Sequence, residues 1–381
     1  MSDFRFIANR LLYQGFSTFK ATMKYTKKLV FIGILLLFAI IIKLYSANSL
    51  RVEDSYSTGF YGGIVAVQRF LFGWLPFSIG DLLYGLLIAW VLWKLTKLIG
   101  IMLKKKATWE GFINGCLKTV AIFLMLYILF NIFWGINYNR KGIAYQLGLK
   151  MEQYSLEDLK NINGLLISKV NAAKQCLVNA KAAYPSSKEL FVQVQQNYGA
   201  IDSTYPFLKY GHQSLKSSLW GWLGNYVGFT GYYNPFTGEA QVNTTVPKFL
   251  QPFTACHEVA HQLGYAKEME ANFVGYLAAS NSPDTLFQYS VYLDLFLYSN
   301  RNLSNSDTAS AKMYAGQLLP EIKSDIKEWK AFNKKHKNPI EPVIRWIYGK
   351  YLESNQQPQG VLSYDEVTSF LIAYYKKFGK I

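Results

Sequence analysis

Apolar residues run almost unbroken in three stretches near the start of the chain and turn periodic beyond them. Leu29–Ile42 is apolar throughout, with Lys27 and Lys28 before it and Lys43 after it. With Lys43 snorkelling, the run reaches about Ala47 and is long enough to cross a hydrocarbon core of about 30 Å. A second span starts near Ile79, is purely apolar from Leu82 to Trp93, and continues to Leu103 with Lys94 and Lys97 placed to reach headgroups. A third, Thr119–Ile136, is broken only by Asn131 and carries Trp134 near its end, as an interfacial aromatic belt requires. The residues before Leu29 exceed a typical signal-peptide leader, and Ser46-Ala47-Asn48-Ser49 is a poor cleavage pattern, so the first run is expected to be an uncleaved anchor.

Composition limits how much of the chain is embedded. It has 381 residues, 51% hydrophobic and 17% aromatic, yet its mean hydropathy is only +0.06, so a soluble domain must accompany the spans. The net charge of +16 reads as membrane topology, with no nucleic-acid partner, because the lysines gather at the edges of the apolar runs. Arg5, Arg10, Lys20, Lys24, Lys27 and Lys28 precede the first span, and Lys104, Lys105, Lys106 and Lys118 follow the second. The first connection holds only Arg51 and Arg69 with Glu53 and Asp54. This asymmetry predicts a multi-pass inner-membrane protein with a cytoplasmic N-terminus, although Arg140 and Lys141 after the third span count mildly against it. The expected domains are a basic leader (1–28), a three-helix transmembrane region (29–137) and an extracytoplasmic domain (138–381). Cys116, Cys176 and Cys256 form neither a C-x-x-C pair nor a disulfide framework.

Beyond Tyr138 the pattern is that of amphipathic helices. Ser155 with Glu157 and Asp158 predicts an N-cap opening a helix to about Ala183, Pro185-Ser186-Ser187 breaks it, and Glu189 to about Gln196 forms the next. Between Trp220 and Val246, Asn225–Tyr233 is aromatic and β-branched, Asn234–Gly238 is turn chemistry and Glu239–Thr245 alternates. A β-hairpin is expected there, with an edge suited to an extended peptide. Asp284–Asn300 is helical with Tyr289, Tyr292 and Tyr298 as candidate oxyanion donors. The tail from Ser304 is helical and basic and suggests no chemistry.

The chemistry lies in His257-Glu258-x-x-His261. Histidines four apart share one helical face, so both imidazoles can meet one ion, and Glu258 between them can serve as general base to a metal-held water. With four histidines in the chain, this pattern arises by chance in about one such chain in a thousand. A catalytic zinc site needs a third protein donor and an open position. Gly264 can end the helix, and Glu268 opens another on which Asn272 shares its face while Glu270 points away. Glu268 is the expected third ligand, Glu270 is its alternative, and Asn272 is placed to support a ligand.

His257-Glu-x-x-His261 followed by Glu268-x-x-Ala-Asn272 is similar to the gluzincin pattern, in which a glutamate on a following helix completes the zinc site; that resemblance favours Glu268 over Glu270. The separation of the two helices is shorter than in membrane gluzincins. Gly264 is shared with metzincins, but their third ligand position falls on Lys267, which cannot ligate while charged. Over nearly its whole length the chain resembles an uncharacterised bacterial membrane family, domain of unknown function 3810. The resemblance rests on the three apolar helices, Trp134-Gly-x-Asn137-Tyr, the block Gly231–Asn243, the block Pro252–Gly264 and Glu268-x-Glu-Ala-Asn-Phe273. It implies a metallopeptidase of unknown substrate; with the histidine motif, the expectation is a Zn2+-dependent enzyme acting on a peptide or protein substrate. The fold expected is mainly α, with three N-terminal transmembrane helices followed by a mostly helical, zincin-like α+β domain holding a small β-hairpin or sheet. The competing reading is a non-catalytic envelope binding module with a structural zinc site, which would show a fourth donor such as His212 or Cys256.

Overall fold

The computed structural model describes residues 25–381 except 359 and 361–365, so most of the expected basic leader lies outside the described residues. The chain is mainly helical with one three-stranded sheet. Among the described residues, three helices are long and apolar enough to cross a membrane: α1 (Tyr25–Ser46), α3 (Ile79–Leu103) and α4 (Trp109–Phe133). Between α1 and α3 the chain is also helical, π-helical over Val52–Phe60 and then α2 (Tyr61–Phe72). Residues 25–48 and Leu87–Ile132 form one compact unit, and Ser49–Leu86 with Phe133–Ile381 form the other. In the first, leucines and aromatics stand exposed around the helices, as Leu37, Phe38, Leu95 and Phe123 do, an all-round apolar surface consistent with membrane association. Lys28 Nζ donates to Asn114 Oδ1 within that unit.

In the second unit, α5 (Gly142–Gln146) is followed by two long helices whose starts are written in the sequence. Ser155 and Asp158 form a reciprocal capping box at the head of α6 (Leu156–Ala180). Ser186 and Glu189 do the same for α7 (Ser187–Ile201), which therefore starts ahead of the expected Glu189. The sheet has the order β1–β3–β2, with β1 (Leu215–Ser217) parallel to β3 (Glu239–Val242) and β2 (Gly231–Asn234) antiparallel to it. The hairpin is present but shorter than expected, because Asn225–Val227 belong to a helix, α8 (Gly221–Val227). Asn243 overrides their β-propensity: its side-chain amide donates to Gly221 O at 2.9 Å and to Asn225 Oδ1 at 2.7 Å.

Three helices fill the centre: α9 (Gln251–Gln262), α10 (Glu268–Ser280) and α11 (Thr285–Ser306). Every residue of α9 is buried. The helices α12 (Thr308–Gly316), α13 (Pro320–His336), α14 (Glu341–Ser354) and α15 (Val367–Phe378) complete the unit.

The connection between the first two apolar helices, which the sequence shows only as a sparsely charged link, is part of this core. Glu53 is buried and accepts from Arg140 Nε at 3.0 Å and Nη2 at 2.6 Å, from Gly142 N at 3.0 Å and from Gln146 Nε2 at 2.8 Å. The fully buried Glu239 accepts from Ile79 N at 3.1 Å and Gly80 N at 2.6 Å, which caps the start of α3 with a carboxylate where the helix dipole favours one.

Glu53→Ala leaves the Arg140 charge buried without its partner and is expected to cost about 3–5 kcal/mol, read as a fall in Tm in detergent. Burial raises the Glu53 pKa, but the hydrogen bonds and charge of Arg140, with Gly142 and Gln146, outweigh it and hold the group below its ordinary value. Its contribution is therefore present above about pH 4.3 and lost as pH falls through the lowered folded value. An unchanged Tm at neutral pH would show that the pair contributes nothing.

Candidate metal centre

Histidine spacing on α9 and a tight turn after it bring three groups together. Gly264, at φ +86°, ends α9, and a Cβ there would stand 3.0 Å from the Tyr61 ring, so only glycine permits both the left-handed turn and the close packing. The turn places the Tyr265 carbonyl 2.8 Å from His261 Nδ1. Donation of Nδ1–H to that carbonyl leaves Nε2 as the free lone pair. Further along, α10 packs closely on α9: a Cβ on Gly275 would lie 3.1 Å from the His257 backbone nitrogen. The short connection thus fixes the ligand-bearing helices against each other and also sets the tautomer of one ligand.

His257 Nε2 lies 3.3 Å and His261 Nε2 3.5 Å from the same atom, Glu268 Oε2. Ligand atoms of all three residues lie within 4.8 Å of one another, and all three side chains are buried. Tyr348 OH donates to Glu268 Oε1 at 2.7 Å and turns Oε2 toward the imidazoles. Asn272 shares a hydrogen bond with His257. Burial lowers the His257 pKa against the pull of Glu268, which favours the neutral ring a metal needs. Burial opposes the charged form of His261 too, but there the Glu268 carboxylate prevails and the pKa is pushed up to about 9. Burial likewise works against the Glu268 carboxylate, yet the two imidazoles hold its pKa well below the usual range. Two nitrogens and one oxygen facing a common point suit a borderline divalent ion, so the residues fit a metal.

Glu270, the alternative ligand, is buried elsewhere, its carboxylate 3.9 Å from Lys267 Nζ and against Gly142. Neither proposed fourth donor joins the group among the described residues. His212 is exposed with its ring centroid 6.4 Å from that of Phe70, and Cys256 is fully buried on another face of α9.

Glu258 stands beside this group at the floor of a cleft of about 310 Å3. Its Oε2 has no hydrogen-bond partner, and burial first, then the Glu268 charge, push its pKa up to about 8 against the lowering influence of His261. A Cβ on Gly231 would lie 2.5 Å from Glu258 Oε1, so the carboxylate rests directly on the first residue of β2. The edge position of β2 and its pairing with β3 turn the Gly231 and Tyr233 backbone groups to the open side. The far wall of the cleft carries Ser290, Asp294, Tyr298 and Arg301 from α11, with Arg345 and Tyr348 from α14.

Of the three candidate tyrosines, only Tyr298 reaches the cleft. Tyr289 donates to Asp325, and Tyr292 is buried with Lys169 Nζ 5.9 Å from its ring. The helical tail, read as free of chemistry, supplies Tyr348. No spacing signal marks that residue, because α14 meets Glu268 only through the tertiary fold.

The carbonyls at the end of α9 are met from the segments that adjoin the apolar helices in sequence. Trp134 Nε1 donates to His261 O at 3.2 Å, Arg69 Nη2 to Gln262 O at 2.7 Å, Tyr61 OH to Gln262 O at 3.0 Å and Arg140 Nη1 to Gly264 O at 3.2 Å. Cations at a helix C-terminus also favour its dipole.

These features define a mainly helical protein with three apolar helices and a buried His-His-Glu group able to hold a metal ion. The chain belongs to the family described as "Protein of unknown function (DUF3810)", whose profile matches residues 56–372. No curated protein and no solved structure matches it.

Tyr348→Phe removes the donor that orients Glu268, and Asn272→Ala removes the support of His257. Each is expected to weaken metal binding about 10–100-fold, measured by competition with a chromophoric chelator. Wild-type affinity in both variants would contradict this ligand geometry.

Proposed function

We propose that the protein is a membrane-anchored zinc metallopeptidase with a zincin-like, gluzincin-type site, held by α1, α3 and α4 with its N-terminus cytoplasmic and its catalytic unit outside. His257, His261 and Glu268 are its zinc ligands. The observation that carries the reading is Glu258, a buried carboxylate with a free oxygen, lying next to a potential three-ligand metal site and under the edge of a β-strand.

Zinc bound there supplies a Lewis acid that polarises a carbonyl and acidifies water. In its ionised form, which the charge of a bound metal would favour, Glu258 would take a proton from that water at Oε2 and return it to the leaving amine. The same burial that raises its pKa keeps bulk water from competing for that proton. Gly231 and Tyr233 on the outer side of β2 offer backbone hydrogen bonds to an extended peptide beside Glu258. Tyr298 lines the cleft and is the candidate hydroxyl donor to a developing oxyanion, while the Tyr348 hydroxyl is engaged with Glu268. A structural zinc site would fill its fourth position with protein; the three-donor group among the described residues supports catalysis instead.

The test uses the purified full-length protein, an unstructured protein substrate and metal analysis. Wild type is expected to hold about one zinc and to cleave, Glu258→Gln to keep the metal and lose cleavage by at least about 100-fold, and His261→Ala to lose both. Full activity in Glu258→Gln would overturn the assignment. A metal-loaded wild type that cleaves nothing would favour the binding-module reading.

A further inference from the structure

Helices α8 and α14 present an apolar surface that the unit does not cover. Trp222, Leu223 and Tyr226 on α8 are exposed, at 55%, 42% and 44%. On α14, Ile340 just before the helix, Val343, Trp346 and Ile347 are exposed by more than half, spaced along one face of the helix. The two patches are joined through the segment that precedes α14. Asn338 Nδ2 donates to Tyr226 O at 2.6 Å, and the Tyr226 and His336 rings meet edge-on at 5.1 Å. Exposed Lys334, Lys335 and Lys337 border it. Tryptophan with aliphatics inside and lysines at the rim is the composition of an interfacial membrane surface.

Its position fixes the occupant. Trp220, immediately before α8, donates Nε1–H to Asp81 O at 3.0 Å in the first turn of α3, and a Cβ on Gly85 would stand 3.0 Å from its ring. Helix α3 has 25 residues and is about 37 Å long, longer than the hydrocarbon core of about 30 Å. Gly85 lies about 9 Å along it, so Trp220 touches the helix where it passes from headgroups into hydrocarbon. Helix α8, with the exposed Trp222, Leu223 and Tyr226, begins at the next residue.

We propose that α8 and the exposed face of α14 are seated in the headgroup and outer acyl layer of the bilayer that α3 enters. The inference rests on α3 being a membrane span. Its consequence concerns the cleft, because Arg345 and Tyr348 on the other side of α14, with Val227 and Gly228 at the end of α8, are part of its lining. The mouth of the cleft then opens at the membrane surface, and the substrate class is polypeptide lying close to that surface, such as the segment flanking a transmembrane helix or a lipid anchor.

The test places a nitroxide at Leu223→Cys, Trp346→Cys or Ile347→Cys, with Lys188→Cys on α7 as an exposed polar control, in full-length protein with Cys116→Ser and Cys176→Ser. In nanodiscs containing one protein and phosphatidylglycerol, relaxation is measured with oxygen and with a water-soluble nickel chelate. Seating in lipid predicts an oxygen-to-nickel accessibility ratio several-fold higher at the three sites than at 188. A ratio equal to that at 188 places the surface in water, and protection from both probes places it against protein; either result overturns the proposal. The readout does not depend on bound metal or peptidase activity, so the seating stands or fails apart from the peptidase reading, on which only the substrate class rests.

Discussion

The end of α9 is the constraint on which the rest depends. This helix carries two candidate ligands in its last two turns and is buried throughout, and buried carbonyls without donors are costly. Here Arg69 and Tyr61 come from the segment between the first two apolar helices, and Trp134 and Arg140 from the segment after the third. Gln262 adds a second tie with its side chain, accepting from Tyr210 OH at 2.8 Å and donating to Ser214 O at 3.0 Å and Gly238 O at 2.7 Å. The segments that adjoin the apolar helices in sequence are therefore part of the scaffold of the candidate site. A catalytic unit beginning after the last apolar helix would lack half of these donors.

The same economy appears in the site itself. The turn that reverses the chain after Gly264 also supplies the Tyr265 carbonyl that orients His261. The glycine that starts β2 lets Glu258 lie against the strand. Burial acts differently on each group. It favours a neutral His257, it is overcome at His261 and Glu268 by their mutual attraction, and at Glu258 it leaves a carboxyl whose proton is readily exchanged near neutral pH.

Much of this was legible in the sequence because it is local. Continuous apolar runs mark the three long helices, and Ser155 with Asp158 marks a helix start through hydrogen bonds that span one turn. His257, His261 and Glu268 converge because helical spacing and a glycine turn are short-range geometry. What could not be read is long-range. Asn243 turns an aromatic, β-branched stretch into α8 through bonds to Gly221 and Asn225. Strand β1 has only three residues, too few to show alternation. Tyr348 and Arg69 reach the site from segments whose own patterns speak only of helix and of topology.

X-ray absorption at the zinc edge of the full-length protein tests the central claim most directly, since it reads the ligand atoms themselves. The expected result is one zinc per chain with two imidazole nitrogens and carboxylate or water oxygen at about 2.0–2.2 Å and no sulfur. A sulfur neighbour at about 2.3 Å would bring Cys256 into the site and contradict the claim, as would protein that binds no zinc at all.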